Sequence, residues 1–198
     1  MNQRVMTFID YWNFQLSLNN HIEKTNWKKV PKVIMDKAWE TIKTMVPGEI
    51  SREGTRVYSS YNQMTGEGKK HKKWLEEFLR CIPGVQIEIK QQKRRKELKC
   101  SSCYHLILNC PHCKEKLIYY REKGIDVAIA TDMMRLAAEN IYDIAILVSS
   151  DSDFIHAVKF ISQRGKKVVH AGFYPIGSDL RGECWFSIDL SKIAKSMQ

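Results

Sequence analysis

Five apolar-rich residues, Val5–Ile9, stop abruptly at Asp10, which is the pattern of a short buried strand. From Asn13 to Ile22 the pattern is mixed. Phe14, Leu16 and Leu18 alternate, whereas Phe14, Leu18 and Ile22 fit a helix, and the helix is preferred. Pro31 suits a helix start. Ile34, Ala38, Ile42 and Met45 then form an apolar face that Pro47-Gly48 ends. Thr55–Tyr61 reads as a second strand. Residues 69–82 read as a helix with Trp74, Leu75, Phe78, Leu79 and Ile82 on its apolar stripe, stopped by Pro83-Gly84. Val85, Ile87 and Ile89 alternate with polar residues as in a half-buried strand. After a basic run and a cysteine cluster, Leu117–Tyr120 is again strand-like. Asp126–Asn140 predicts a well-packed helix, Ile144–Val148 a fully buried strand, and Phe154, Val158 and Ile161 a helix ending at Gly165. Lys167–Ala171 is a further strand, and a short helix is expected near Ser178–Arg181. Strand and helix alternate around an all-apolar strand. The fold class is therefore α/β, a mostly parallel central sheet with helices on both faces. No internal repeat or low-complexity tract stands out.

Composition narrows the class. At 198 residues and 43% apolar, the chain can fill one real core and is no disordered tail. Its longest uninterrupted apolar run, Ile144–Val148, is far short of the ~20 residues of a spanning helix, so no membrane partner is expected. The N-terminal apolar run is too short for a secretory signal, and the expected location is cytoplasmic.

The formal charge is +10, and it is concentrated. Gly66–Lys123 holds 15 Lys and Arg against 7 Glu and no Asp. Such a patch attracts polyanions, nucleic acid foremost. Two runs carry it: Lys69, Lys70, Lys72 and Lys73 at a helix start, and Lys93, Arg94, Arg95 and Lys96 before the cysteines. Cations at a helix N-terminus oppose the helix dipole. Either a phosphate partner or a solvated helix start accounts for them. Tyr11, Trp12, Tyr58 and Tyr61 could stack on bases, but core packing is the expected role of each.

Cys100-Ser-Ser-Cys103 is followed, six residues on, by Cys110-Pro-His-Cys113. Two such pairs supply the four thiolates that tetrahedral Zn²⁺ accepts, although the spacer is shorter than the usual ribbon linker. A closed site of four cysteines is structural. The expectation is a small zinc-binding hairpin, with His105 and His112 at its surface and Cys81 and Cys184 free or buried.

Only nine Asp occur. Asp10, Asp151 and Asp153 follow strands, and Asp126 begins a helix. In a parallel sheet, ligands gather beyond the carboxyl ends of the strands. Carboxylates converging there need a cation, and Mg²⁺ or Mn²⁺ suits oxygen donors. Taken singly, each Asp could instead be a helix cap.

Four segments together resemble the NYN domain of the PIN-like nucleases: Phe8-Ile9-Asp10-x-x-Asn13, Lys123-Gly124-Ile125-Asp126-Val127, Val148-Ser149-Ser150-Asp151-Ser152-Asp153-Phe154 and Gly165-Lys166-Lys167-Val168. They come in the family's order and span residues 5–169. Ser150 departs from the family's usual Gly. The resemblance implies metal-dependent cleavage of RNA at Asp10, Asn13, Asp126, Asp151 and Asp153, with Asp132 as an additional acid. On this reading Asp10, Asp126 and Asp151 hold Mg²⁺ or Mn²⁺, Asp153 orients water, and Asn13 holds the first loop or contacts phosphate. Residues 1–91 and 122–198 form the NYN/PIN-like domain, and 92–121 an inserted zinc-binding module. Two other functions compete with it: a non-catalytic RNA-binding module and a small-molecule phosphohydrolase. Binding a polyanion gains nothing from clustered carboxylates, and no usual nucleotide loop is present. RNA is the expected partner, and a homodimer is left open.

Overall fold

The computed structural model of the chain describes residues 2–95, 98–117 and 119–198. The first strand, β1 (Gln3–Asp10), buries its last six residues. It lies at the centre of a six-stranded sheet in the order β3 (Val85–Gln91), β2 (Ile50–Tyr61), β1, β6 (Ile144–Val148), β7 (Lys167–Gly172), β8 (Phe186–Asp189). All five pairings are parallel. β6, the most apolar run in the sequence, is buried at every position. A strand covered on both faces reads as a continuous apolar run, which explains that pattern.

Alternation along the strands divides the core in two. Val5, Ile9, Ile144, Ile146 and Val148 face one way, against α1 (Tyr11–Leu18), α2 (Val30–Met45) and α3 (Gly66–Glu77). Met6, Phe8, Ala145 and Leu147 face the other way, against α4 (Ile125–Ala138), α5 (Ile155–Gln163) and α6 (Ser178–Glu183). The helices before the sheet's turning point cover one face and those after it the other. Right-handed crossovers require this when the strand order reverses. At the opposite edge from the carboxyl ends, Arg4 and Lys166 both pair with Asp143, joining the start of β1 to the loops around β6.

Several boundaries differ from the sequence pattern. α1 starts at Tyr11, because Asp10 already caps it, and ends at Leu18, leaving Ile22 buried but outside the helix. α3 covers Gly66–Glu77 rather than 69–82. The Thr65 side chain accepts from Gly68 N–H, and Leu79–Cys81 forms a separate 3₁₀ turn. β2 begins at Ile50, five residues early. β8 and the 3₁₀ stretch Leu190–Met197 carried no recognised signal.

Outside the main sheet, β4 (Lys93–Arg95) and β5 (Tyr119–Arg121) make an antiparallel ribbon. The strand expected at Leu117–Tyr120 thus lies slightly later; Ile118 falls outside the described residues. Among the described residues no helix is long and apolar enough to cross a membrane.

Candidate active site

The strand order reverses between β1 and β6, and their carboxyl ends splay into the crevice where open parallel sheets bind ligands. Asp10 ends β1 at the floor of this crevice and is 5% exposed. One carboxylate oxygen accepts from Asn13 N–H at 3.4 Å as the cap of α1, and the other accepts from the Ser149 hydroxyl at 3.2 Å. Asn13 then bridges the crevice, since its side-chain carbonyl accepts from Ser150 N–H at 3.0 Å. The first turn of α1 and the loop after β6 are therefore fixed to each other. Asp151 caps the 3₁₀ turn Ser152–Phe154 by accepting from Asp153 N–H at 2.9 Å. Being a cap and facing the crevice are compatible roles. Ser150 fits its loop because Gly177 passes beside it: a Cβ on Gly177 would come within 2.9 Å of the Ser150 Cβ.

Asp126 reaches the crevice differently. Gly124, with φ of 84°, turns the chain into α4, so Asp126 stands in the first helical turn and caps nothing. It is the electrostatic hub. Burial raises its pKa, and repulsion from Asp151 and Asp153 raises it further, against the pull of Arg121. Asp10 is pushed up to about 7, first by burial, then by repulsion from Glu122 and Asp126; the Asn13 and Ser149 hydrogen bonds only partly offset this. Glu122 belongs to the same group. Burial and Asp126 raise its pKa, while the Ser60 hydroxyl donates to it and Gln92 donates to Ser60 at 3.2 Å.

The motif residues lie on neighbouring elements: Asp10 and Asn13 bond to Ser149 and Ser150 in the loop that leads to Asp151 and Asp153, and Asp126 is near enough to Asp10, Asp151 and Asp153 for their charges to repel. Glu122 joins them, masked in the sequence between Arg121 and Lys123 in a basic run. Asp132 lies apart. It accepts from Arg56 at 2.7 Å, Tyr58 at 2.8 Å and Arg135 at 3.0 Å. Burial disfavours its charge, but these partners outweigh burial and lower its pKa. This is a structural ion pair between β2 and α4. Among the described residues no three His, Cys, Asp or Glu side chains are arranged to hold a metal ion. In the crevice the carboxylate oxygens turn instead to Asn13, Ser149, Ser60 and Asp153.

The basic residues divide. Lys93, Arg94, Arg121 and Lys123 line one hollow of about 620 Å³ together with Glu122, Gly124 and Asp126. Positive and negative groups therefore share a single wall. Lys90 steadies it by donating to Gly124 O at 2.8 Å. On α3, Lys69 and Lys70 are exposed, Lys72 approaches Glu76 at 3.7 Å and Lys73 approaches Glu77 at 3.8 Å. Lys96 lies outside the described residues, as does the Arg95 side chain.

The cysteine segment contains a ten-residue structural repeat. Cys100 N–H donates to His105 O, and Cys110 N–H to Glu115 O. Tyr104 N–H returns to Cys100 O, and Lys114 N–H to Cys110 O, with Tyr104 and Lys114 both left-handed. Within each turn the first sulfur receives backbone N–H groups, from Cys103 and Ser102 onto Cys100 and from Cys113 and His112 onto Cys110. These donors lower both thiol pKa values. The four cysteines form no disulfide.

The NYN domain family matches residues 4–190 of the chain. A crystal structure of VPA0982, a protein of unknown function from Vibrio parahaemolyticus, shares its fold. It is 18% identical over 96% of this chain and 94% of that chain, with a TM-score of 0.55. A Sir2–p53 peptide–NAD⁺ structure overlaps more loosely, 12% identical over 98% of this chain and 91% of that one at a TM-score of 0.38. No curated protein matches the chain.

Proposed function

The chain belongs to the NYN domain family, and from that premise we propose that it is a divalent-metal-dependent ribonuclease acting at the crevice between β1 and β6. One arrangement carries the reading: Asp10, tied to the loop after β6 through Ser149, stands at the sheet's switch point, and Asp126, opening α4, lines the basic wall beside it. A cluster of carboxylates repels itself and repels phosphate. Hard oxygen donors of this kind fit Mg²⁺ or Mn²⁺, with Asp10, Asp126 and Asp151 as the holding residues. A bound ion would supply charge neutralisation at the phosphate and an acidified water.

The chain's own residues do the rest. Lys93, Arg94, Arg121 and Lys123 bind the phosphates on either side of the one to be cut. Asn13 keeps the Asp10 and Asp151 loops at a fixed separation, which positions two acids carried by different strands. Asp153, exposed at the rim, would orient the attacking water. The cysteine segment has a separate role. Two Cys-x-x-Cys turns of matching backbone geometry supply the four sulfurs that one structural Zn²⁺ would take, from Cys100, Cys103, Cys110 and Cys113. That ion would brace the module next to β4 and β5, whose base carries the substrate-facing cations.

The test is cleavage of labelled RNA with Mg²⁺ or Mn²⁺. Asp10→Asn and Asp126→Asn should lower the rate by at least about 100-fold while RNA is still bound, because a charge is lost and the shape is kept. If both variants cut at the wild-type rate, the nuclease reading is wrong. Wild type that binds RNA and cuts none would make the chain a binding module.

A further inference from the structure

Next to the basic hollow lies a second one, of about 460 Å³, lined by Met64, Gln91, Gln92, Lys93, Arg94 and Tyr120. The two share Lys93 and Arg94 as a common wall. They differ in chemistry. The first is faced with charges of both signs, as a phosphate subsite beside an acidic site requires. The second holds no acid; its lining combines a thioether, a phenol ring and two carboxamides. Met64 is 69% exposed, and none of the core contacts involves it. Its exposed thioether stands at the lip of this hollow, beside the Tyr120 ring.

We propose that this hollow is a nucleobase subsite, taking the base of the nucleotide next to the cleaved phosphate and giving the enzyme a sequence preference. The proposal rests on the nuclease reading above and adds a ligand for residues that reading leaves unused. Bases present a flat apolar face and a polar edge. Tyr120 and Met64 offer surfaces for the face. The carboxamide of Gln91, exposed at the end of β3, offers the paired donor and acceptor that read an edge. Lys93 and Arg94, between the hollows, meet the phosphate joining the two nucleotides.

A hydrogen-bonded chain connects this hollow to the acids. Gln92 lines it and donates to the Ser60 hydroxyl at 3.2 Å; Ser60 in turn donates to Glu122, which faces the other hollow. A base held beside Gln92 would bear through Ser60 on Glu122, one of the two carboxylates of the basic hollow. Gln92 and Ser60 act as positioning residues. A base that fits should favour cutting of its own linkage, and a missing base should penalise it.

The experiment uses a labelled RNA decamer in which a single abasic nucleotide is walked along the chain. Cleavage is read on gels with Mg²⁺ or Mn²⁺, and binding by anisotropy with no divalent ion added. In wild type, one register relative to the abasic position should lose about tenfold in cleavage. Tyr120→Ala should cut the normal decamer about tenfold more slowly and show no register effect. Tyr120→Phe, which keeps the ring, should behave as wild type, which separates stacking from damage to the β4–β5 ribbon. Gln91→Ala should flatten the preference among the four nucleotides. Wild type that cuts RNA with no register effect overturns the subsite and leaves the nuclease reading standing. If wild type cuts nothing, that reading fails, and binding decides the subsite alone. A normal decamer held about tenfold tighter than a fully abasic one, with the difference lost in Tyr120→Ala, supports it; equal affinity overturns it.

Discussion

A carboxyl group whose pKa is held near 7 by burial makes the folded chain sensitive to pH, and Asp10 is that group. In the unfolded chain an Asp ionises near 3.9. Between these values the folded protein keeps a proton that the unfolded chain has released. The contribution to stability is therefore full below about pH 4 and is lost as pH rises through 7, by at most about 4 kcal/mol. Asp10→Asn retains a side-chain carbonyl that can accept from Ser149 or Asn13 and carries no charge. In metal-free protein it should melt higher than wild type at pH 8, with the difference closing towards pH 4. Melting curves of the two proteins across that range check this; a difference independent of pH would show that burial does not govern the group. Asp10 and Asp151 were legible in the sequence because Asp10 ends an apolar strand and Asp151 follows another after only Ser149 and Ser150, so the chain itself fixes their place at the sheet edge. Glu122 was not, since it follows no periodic element and its neighbours Arg121 and Lys123 share its segment's charge pattern. Asp132 shows the converse. It lies in a helix whose start faces the crevice, yet the six residues from Asp126, about 1.7 turns at 3.6 residues per turn, rotate it to another face, towards Arg56 and Tyr58.

At the scale of the element, the insertion behaves unlike the sheet. Its knuckles are built from backbone hydrogen bonds within ten-residue repeats, and Tyr104, Leu106 and Leu108 remain exposed. A segment with so little apolar burial draws its order from elsewhere, and small metal modules draw it from the ion. Purified protein should carry about one zinc per chain. Cys100→Ser combined with Cys103→Ser should lose the zinc and loosen residues 98–117 to proteolysis while leaving the melting of the sheet nearly unchanged. Elemental analysis and limited proteolysis read both; a metal-free module that resists protease would overturn the zinc. The cysteine spacing announced this element, but the repeat did not show in the residues. The two halves share little beyond their cysteines, and the likeness lies in backbone hydrogen bonds. The same reasoning separates the legible elements of the domain from the rest. Strands covered on both faces, such as β6, leave an unbroken apolar run. Edge strands such as β8, with the pattern Phe-Ser-Ile-Asp and half-buried flanks, leave almost none.

For the molecule as a whole, the governing feature is the separation of charge along one edge of the sheet. Acids from β1, α4 and the loop after β6 collect at the switch point, while cations from the β4–β5 ribbon and its flanks stand beside them. A polyanion approaching this edge is attracted by the cations and repelled by the acids. The balance depends on ionic strength, because each phosphate contact releases counterions. Lys93, Arg94, Arg121 and Lys123 are the cations that line the hollow beside the crevice, and Lys69, Lys70, Lys72 and Lys73 stand on α3, two of them near glutamates one turn away. Exposed ion pairs of that kind contribute little to stability, so reversing these lysines should leave melting nearly unchanged. Their effects on RNA should differ. Changing Lys93, Arg94, Arg121 and Lys123 to Glu should flatten the slope of log affinity against log salt by about three to four, one phosphate contact for each cation lost. Reversing the four lysines of α3 should change the slope by about two or less, since Lys72 and Lys73 already have acidic neighbours. Titrations of a labelled RNA from about 50 to 200 mM salt measure both slopes. A slope that responds to α3 and ignores the crevice would move the RNA path away from the acids, and the catalytic reading would lose its substrate.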